Sequence, residues 1–300
     1  MFNAGRMNIP PYRISLSGGG IKGFAHVGVL EALDAQGLLK NVKEYIGISA
    51  GALCALCLSI GCSLPELRQI VLLLDFGLIR DVDPETAFNF TETFGIDTGA
   101  NVKKLLSVIL RGKKLNPQCT FAELEARKLG PSLRVIATNI NTCRGQEFSA
   151  KVSPNSHVAF AVQASMSIPI YFTPMRDLNS GHLFLDGGVI CSSPFNYLSD
   201  EEKRYTLSIV FGDAHKPSET ITSLYGFIAQ LYYSSDYERS VGLKESWPAN
   251  TLSVPCDGIT AIDFEANMEE KEAIIAAGYK AAVRFLSTPG RPPVRRFSIP

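Results

Sequence analysis

The sequence predicts an α/β fold, a parallel sheet with helices on its faces, and three observations carry that prediction. Hydrophobic residues make up 46% of the 300-residue chain, enough to bury a large core. Short β-rich runs alternate with segments of helical period along the length. No repeat, low-complexity tract or long polar linker divides the chain, so one domain is expected over 1–300. Its core falls in roughly 10–288, and the proline-rich, basic "PGRPPVRRFSIP" at 289–300 is expected to be a flexible tail.

Strands are expected near Arg13–Ser17, Val42–Ile48, Leu133–Asn139, His182–Asp186, Tyr205–Phe211 and Asn250–Val254. After the first strand, Phe24, Val27, Leu30 and Leu33 recur at three-residue spacing and Gly37 is placed to end the helix they mark. A long closing helix is expected from Met268 to Leu286, rich in Ala, Glu and Lys, with Ile275, Tyr279, Ala282 and Phe285 as its apolar stripe.

Composition excludes several function classes. Lys plus Arg equals Asp plus Glu at 29 each, which removes the electrostatic argument for a nucleic-acid partner. The N-terminus lacks an apolar core followed by a small-residue cleavage site, so it does not read as a signal peptide. The longest nearly apolar run, Ala50 to Ile60, falls short of the ~18 residues of a membrane span. A cytoplasmic protein that at most touches a membrane surface is expected. Seven cysteines without framework spacing suit a reducing compartment, and Cys54, Cys57 and Cys62 read as small core residues rather than metal ligands.

Two glycine motifs carry the chemistry. "GGGIKG" at 18–23 follows a strand and opens a helix, so that unpaired N–H groups converge on one spot and form an anion nest. The anion is either a phosphate or an acyl-transfer oxyanion. A nucleotide P-loop does not fit, because Lys22 precedes Gly23 and Phe24 follows it. A dinucleotide site does fit, with Glu44 about twenty residues further on as the ribose acid, and stays open here. The second motif, "GISAG" at 47–51, puts Ser49 on a sharp strand-to-helix turn where Gly47 and Gly51 leave room for it, as a nucleophile requires. Both motifs begin helices just after strands, which brings them together at the carboxyl edge of the sheet.

A serine nucleophile needs a base. Of His26, His157, His182 and His215, only His215, in "FGDAHKPS", follows a strand end, and the others read as packing or surface residues. In "HLFLDGGVICSSPF", Asp186 ends a strand while Gly187 and Gly188 turn the chain away. The aspartate is either the first residue of a turn or a carboxylate that meets Ser49.

These motifs, joined in order by "FGIDTG" at 94–99, "ATNINT" at 137–142 and "ASMSIPIYFTP" at 164–174, resemble the patatin-like phospholipase family over roughly residues 10–288. The resemblance implies a three-layer α/β/α sandwich with a mostly parallel central sheet. It also implies hydrolysis of the fatty-acyl esters of phospholipids or acylglycerols by a Ser–Asp dyad without histidine. Carried over by motif, Ser49 is the nucleophile, Asp186 the base, and Gly18, Gly19 and Gly20 the oxyanion hole. Gly23, Gly47, Gly51, Gly187 and Gly188 complete the motifs. Lys22 fills the family's basic position, serving a lipid phosphate or standing solvated at the loop edge. Neither metal nor cofactor is implied; the partners are an acyl lipid and a membrane surface, with an activating protein left open. Two segments bear on access. Residues 73–99 are a lid or scaffold, and 221–237, with Leu224, Tyr225, Phe227, Ile228, Leu231, Tyr232 and Tyr233, are core or an acyl groove that dips into a bilayer. Two rivals remain: an α/β-hydrolase triad of Ser49, Asp186 and His215, and a non-catalytic module whose nest holds a nucleotide or lipid phosphate.

Overall fold

The structure is a computed structural model, and it describes residues 10–74, 81–82, 86, 88–212, 220–222, 226–227, 230–231, 234, 242–256 and 266–288. In chain order the labelled elements are β1 (Arg13–Leu16), α1 (Ala25–Ala35), β2 (Glu44–Gly47), α2 (Ala50–Ser59), α3 (Leu64–Leu73), β3 (Gly95–Asp97) and α4 (Ala100–Gly112). They continue with α5 (Phe121–Arg127), β4 (Ser132–Asn139), β5 (Arg144–Ser149), α6 (Val158–Met166), β6 (Ile170–Phe172), β7 (Met175–Arg176) and β8 (Leu183–Asp186). β9 (Thr206–Phe211), β10 (Thr251–Val254) and α7 (Met268–Ser287) complete the set. Every strand expected from the sequence is present.

The main sheet runs β10-β9-β1-β2-β4-β8-β7, with β5 on β4, and β3 pairs β6 in a separate two-stranded sheet. The pairs among β10, β9, β1, β2 and β4 are parallel, whereas β5, β7 and β8 run antiparallel to their neighbours. Because side chains alternate across a strand, each strand feeds two faces. Ile14, Leu16, Tyr45, Val135 and Ile209 join the large core beneath α1, α2, α6 and α7. Ile46, Ile48, Ile136 and Val210 point the other way, against Phe195, Leu198, Leu243 and Trp247. The sheet is therefore covered on both faces, as expected of a three-layer α/β/α fold: by α1, α2, α6 and α7 on one and, among the described residues, by the 3-10 helix Pro194–Tyr197 and the helical residues 242–246 on the other.

One irregularity positions the site. A strand has only two hydrogen-bonding edges, and β5 occupies one edge of β4 from Arg134 to Asn139. β2 and β8 must then share the opposite edge. β2 pairs there up to Gly47↔Val135, and β8 enters from the other direction and ends at Asp186↔Ala137. Their carboxyl ends meet head-on, with Ile136 of β4 between them.

α1 and α7 cross closely because each presents a glycine to the other. A Cβ on Gly28 would lie 1.8 Å from the Ile275 carbonyl oxygen, and one on Gly278 would lie 2.1 Å from that of Ala25. Gly37 stands in the left-handed region, φ 68°, and its N–H donates to the Asp34 carbonyl at 2.7 Å, stopping α1 where expected. On α7, Ile275, Ala282 and Phe285 are buried as the stripe predicts, but Tyr279 is exposed. Ile274 and Gly278 belong to the buried face, and Gly278 lies there because the close crossing of α1 leaves no room for a Cβ. Residues 289–300 lie outside the described residues. Among the described residues, no helix is long and apolar enough to cross a membrane.

Candidate active site

Ser49 stands between β2 and α2 with φ 54° and ψ −124°, a conformation that L-residues adopt only where the surroundings enforce it. The enforcement is visible at the flanking glycines. A Cβ on Gly47 would lie 2.4 Å from the Gly51 carbonyl oxygen, and one on Gly51 would lie 2.1 Å from that of Leu16. Nothing larger than glycine fits either position, so the elbow is held sharp.

Asp186 reaches Ser49 through the head-on meeting of β8 and β2. The Ser49 hydroxyl stands beside its carboxylate and favours the ionised form, and the Gly188 N–H donates to its Oδ1 at 2.7 Å. Asp186 is buried, and burial pushes its pKa up to about 7 despite these two donors. Its backbone is tied as firmly: its N–H donates to the Ser167 carbonyl at 2.8 Å, and its carbonyl accepts from the Thr138 hydroxyl at 2.9 Å.

Ser165, on α6, fills the gap between the two strand ends. The Ser49 N–H donates to its Oγ at 3.0 Å, and that hydroxyl donates in turn to the Ile136 carbonyl at 2.6 Å. No role for this serine could be read from the sequence, where it is one small residue in the apolar run "AVQASM". Its partners lie 116 and 29 residues away, beyond the reach of any local pattern.

The glycine nest lies beside the elbow. A Cβ on Gly18 would lie 3.3 Å from that of Ser49, and one on Gly19 would strike the Phe211 ring at 2.4 Å. The Gly18 N–H is already engaged, donating to the Ser192 carbonyl at 2.9 Å, whereas among the described residues neither Gly19 nor Gly20 has a backbone acceptor for its N–H. Lys22 is buried, which corrects its placement at a solvated loop edge: the turn that forms the nest folds the side chain inward.

The dinucleotide reading fails on geometry. A ribose carboxylate belongs at the carboxyl end of the second strand, beside the nest. Glu44 is instead the first residue of β2, at the opposite edge of the sheet, where it binds Arg13 and Arg134. Histidine fares no better within the described residues. His26 Nε2 lies 2.9 Å from the Ser17 carbonyl, and His182 Nδ1 lies 3.1 Å from the Asn139 amide. His157 precedes α6, and none of the three is bonded to Ser49 or Asp186. His215 lies outside the described residues. Among the described residues, no group of three or more His, Cys, Asp or Glu side chains is placed to hold a metal ion.

Ser49 opens into a narrow apolar cleft of about 70 Å³ whose walls include Phe24, Leu53, Cys54, Val71, Leu105 and Phe172. Among the described residues the walls come from α2, α3, α4 and the 166–172 segment; of the 221–237 segment, Leu224, Tyr225, Ile228, Tyr232 and Tyr233 lie outside the described residues, and Phe227 and Leu231 are exposed. Of the 73–99 segment, Leu74 contributes to the wall, and 75–80, 83–85 and 87 lie outside the described residues. Cys54, Cys57 and Cys62 are buried in the core, and burial drives the Cys54 thiol up to about 12.

The model of the patatin family, described as patatin-like phospholipase, matches residues 14–199. The chain belongs to the patatin-like phospholipase family. Membership makes it a lipid acyl hydrolase with lipid as its substrate. An uncharacterised protein of Acanthamoeba polyphaga mimivirus is 27% identical over 279 residues, covering 89% of this chain and 91% of the relative. A probable lipid hydrolase of Invertebrate iridescent virus 6 is 29% identical over 181 residues, covering 60% of this chain and 61% of the relative. The crystal structure of VipD from Legionella pneumophila superposes with a TM-score of 0.63 at 18% identity, covering 95% of this chain and 68% of that one.

Proposed function

We propose that this patatin-like phospholipase is a serine carboxylic-ester hydrolase that releases fatty acid from phospholipids or acylglycerols through a Ser49–Asp186 dyad. The observation that carries the reading is the placement of the Ser49 hydroxyl beside a buried carboxylate that no cation pairs among the described residues. The Ser49 Oγ attacks the ester carbonyl carbon as its proton passes to Asp186. The tetrahedral intermediate collapses, the C–O bond to the alcohol breaks, and Asp186 returns the proton to the departing oxygen. Water then attacks the acyl-enzyme, giving a proton to the same carboxylate, and the fatty acid leaves as the Ser49 hydroxyl is restored.

Magnitudes support a concerted proton transfer. A hydroxyl with a pKa of roughly 13 and an aspartate near its ordinary 3.9 differ by about 12 kcal/mol in water. With Asp186 raised to about 7, the gap narrows to about 8 kcal/mol. The remainder falls to the oxyanion site, for which the Gly19 and Gly20 N–H groups and the N-terminus of α2 are the candidates. The bonded Gly18 N–H serves the loop's shape rather than the oxyanion. Lys22 supports the nest from beneath, and the apolar cleft accepts the acyl chain. The substrate is met at a membrane surface, and the need for an activating protein is a question of assay.

The test is fatty-acid release from mixed phospholipid vesicles by wild-type protein and Ser49→Ala, together with fluorophosphonate labelling. Release and labelling that both vanish in the variant are expected. Release that survives in Ser49→Ala would sink the reading.

A further inference from the structure

The cleft at Ser49 has a rim, and the rim is apolar, exposed and basic on one side. α4 packs Val102, Leu106, Ile109 and Leu110 into the core and turns Leu105 into the cleft wall. At 100° per residue, the next strip around the helix on that flank carries Val108, with Lys104 and Arg111 one turn to either side. Val108 is 66% exposed, and Lys104 and Arg111 are exposed with it.

Two more apolar side chains are exposed on segments next to those that build the walls. Leu73 is 78% exposed and adjoins Leu74 of the cleft lining. Phe94, 51% exposed, precedes β3, whose partner β6 contributes Phe172 to the cleft.

The charge is local and of one sign. Residues 98–122 hold Lys103, Lys104, Arg111, Lys113 and Lys114 and no acidic residue, in a chain whose formal net charge is zero. Lys113 is matched by Glu66 at 2.7 Å. The other four are exposed and have no ion pair among the described residues. An apolar strip bordered by Lys and Arg is what an interfacial helix presents to anionic headgroups.

We propose that this flank of α4, together with Leu73 and Phe94, docks the protein on an anionic lipid surface. The basic strip meets headgroup phosphates, the rim enters the acyl region, and the cleft opens onto the bilayer. The proposal rests on the reading of the cleft as an acyl-lipid site. It adds which face meets the membrane and which membrane charge is preferred.

The experiment is sedimentation of the full chain with vesicles of phosphatidylcholine alone and of phosphatidylcholine mixed with phosphatidylserine. It compares wild type, the double variant Lys104→Glu with Arg111→Glu, and Val108→Asp. Turnover of a short-chain ester in free solution is measured beside it. Wild type is expected to prefer the mixed vesicles, and the double variant to lose ~10-fold or more of its partitioning onto them. Val108→Asp is expected to weaken binding to both vesicle types, and all three proteins to turn over the dissolved ester alike. Equal partitioning of wild type onto both vesicles, or equal binding by wild type and the double variant, overturns the proposal. A parallel loss of dissolved-ester turnover in the variants also overturns it, since the strip would then act on the site itself. Vesicle binding as expected from a wild type that hydrolyses no ester would defeat the catalytic reading and leave this surface standing.

Discussion

The two ends of the main sheet treat charge in opposite ways. At the amino edge, Arg13, Glu44, Arg134, Glu147 and Glu202 share one network of ion pairs at the starts of β1 and β2 and along β4. At the carboxyl edge Asp186 is buried, and among the described residues the groups that favour its charge are neutral, the Ser49 hydroxyl and the Gly188 N–H. Burial raises the Glu202 carboxyl too, but the Ser199 N–H and hydroxyl and the Arg134 guanidinium outweigh it and hold that pKa below its ordinary value. Without a cation, Asp186 rises instead. Carboxylates that hold strands together are paired into permanent charge, and the one proposed as the base is left to take up and release a proton.

Substitutions at each end should break this contrast differently. Asp186→Asn is expected to lower ester turnover by ~10³-fold or more, as Ser49→Ala does, while raising the unfolding midpoint at pH 8. The folded Asp186 keeps its proton up to about 7 against an ordinary 3.8. Its contribution to stability is therefore greatest at low pH and is lost as pH rises through about 7. A midpoint that falls at pH 8 in Asp186→Asn would count against the unpaired buried charge. His215→Ala should leave turnover intact; loss there, with retention in Asp186→Asn, would restore the triad.

At the other edge, Glu44→Gln leaves Arg13 and Arg134 without their shared carboxylate. It should cost about 3 kcal/mol of stability, with turnover per folded molecule unchanged. Denaturant titration beside a kinetic assay separates the two effects, and a turnover loss without destabilisation would contradict the assignment.

Ser165→Ala sharpens the comparison within the carboxyl edge. It removes the acceptor that holds the Ser49 backbone and the donor that satisfies Ile136. Turnover should fall by ~10- to 100-fold, in kcat rather than KM, with slower fluorophosphonate labelling. A change confined to KM would assign Ser165 to substrate binding instead.

The smallest effects are pH profiles. Turnover should rise as pH passes about 7, where Asp186 becomes a base, and Ser165→Ala should keep that inflection. His26 provides the opposite sign for stability. Burial lowers its pKa from 6.5 to about 4, so the unfolded chain takes up a proton first, and stability should fall by about 3 kcal/mol as pH drops across that window. His26→Gln should flatten this slope in unfolding experiments between those pH values.

What the sequence revealed follows the range of the forces involved. The six strands that were legible are β-rich runs bounded by turn chemistry, and Ser49 and Asp186 sit among glycines whose steric reason is local. β5, "RGQEFS", has too few apolar residues for such a run, and β3 and β6 have three residues each, too short for a period to appear. The antiparallel entry of β8 was hidden because a strand's own residues do not state which edge it will join. Glu44 misled for the same reason: its spacing from the glycines suited a ribose, but β2 carries it to the far end of the sheet.

The shared edge of β4 has a further consequence. Gly47 and Asp186 are matched to Val135 and Ala137, so β4 is a ruler whose smallest division is one residue, about 3.3 Å. An insertion or deletion at Ile136 would change the spacing of the two strand ends by a whole division and turn every later side chain of β4 to the other face. The cleft walls and rim can vary by single substitutions without moving that ruler. Substrate preference is thereby a continuously adjustable property of this fold, and the separation of Ser49 from Asp186 is not.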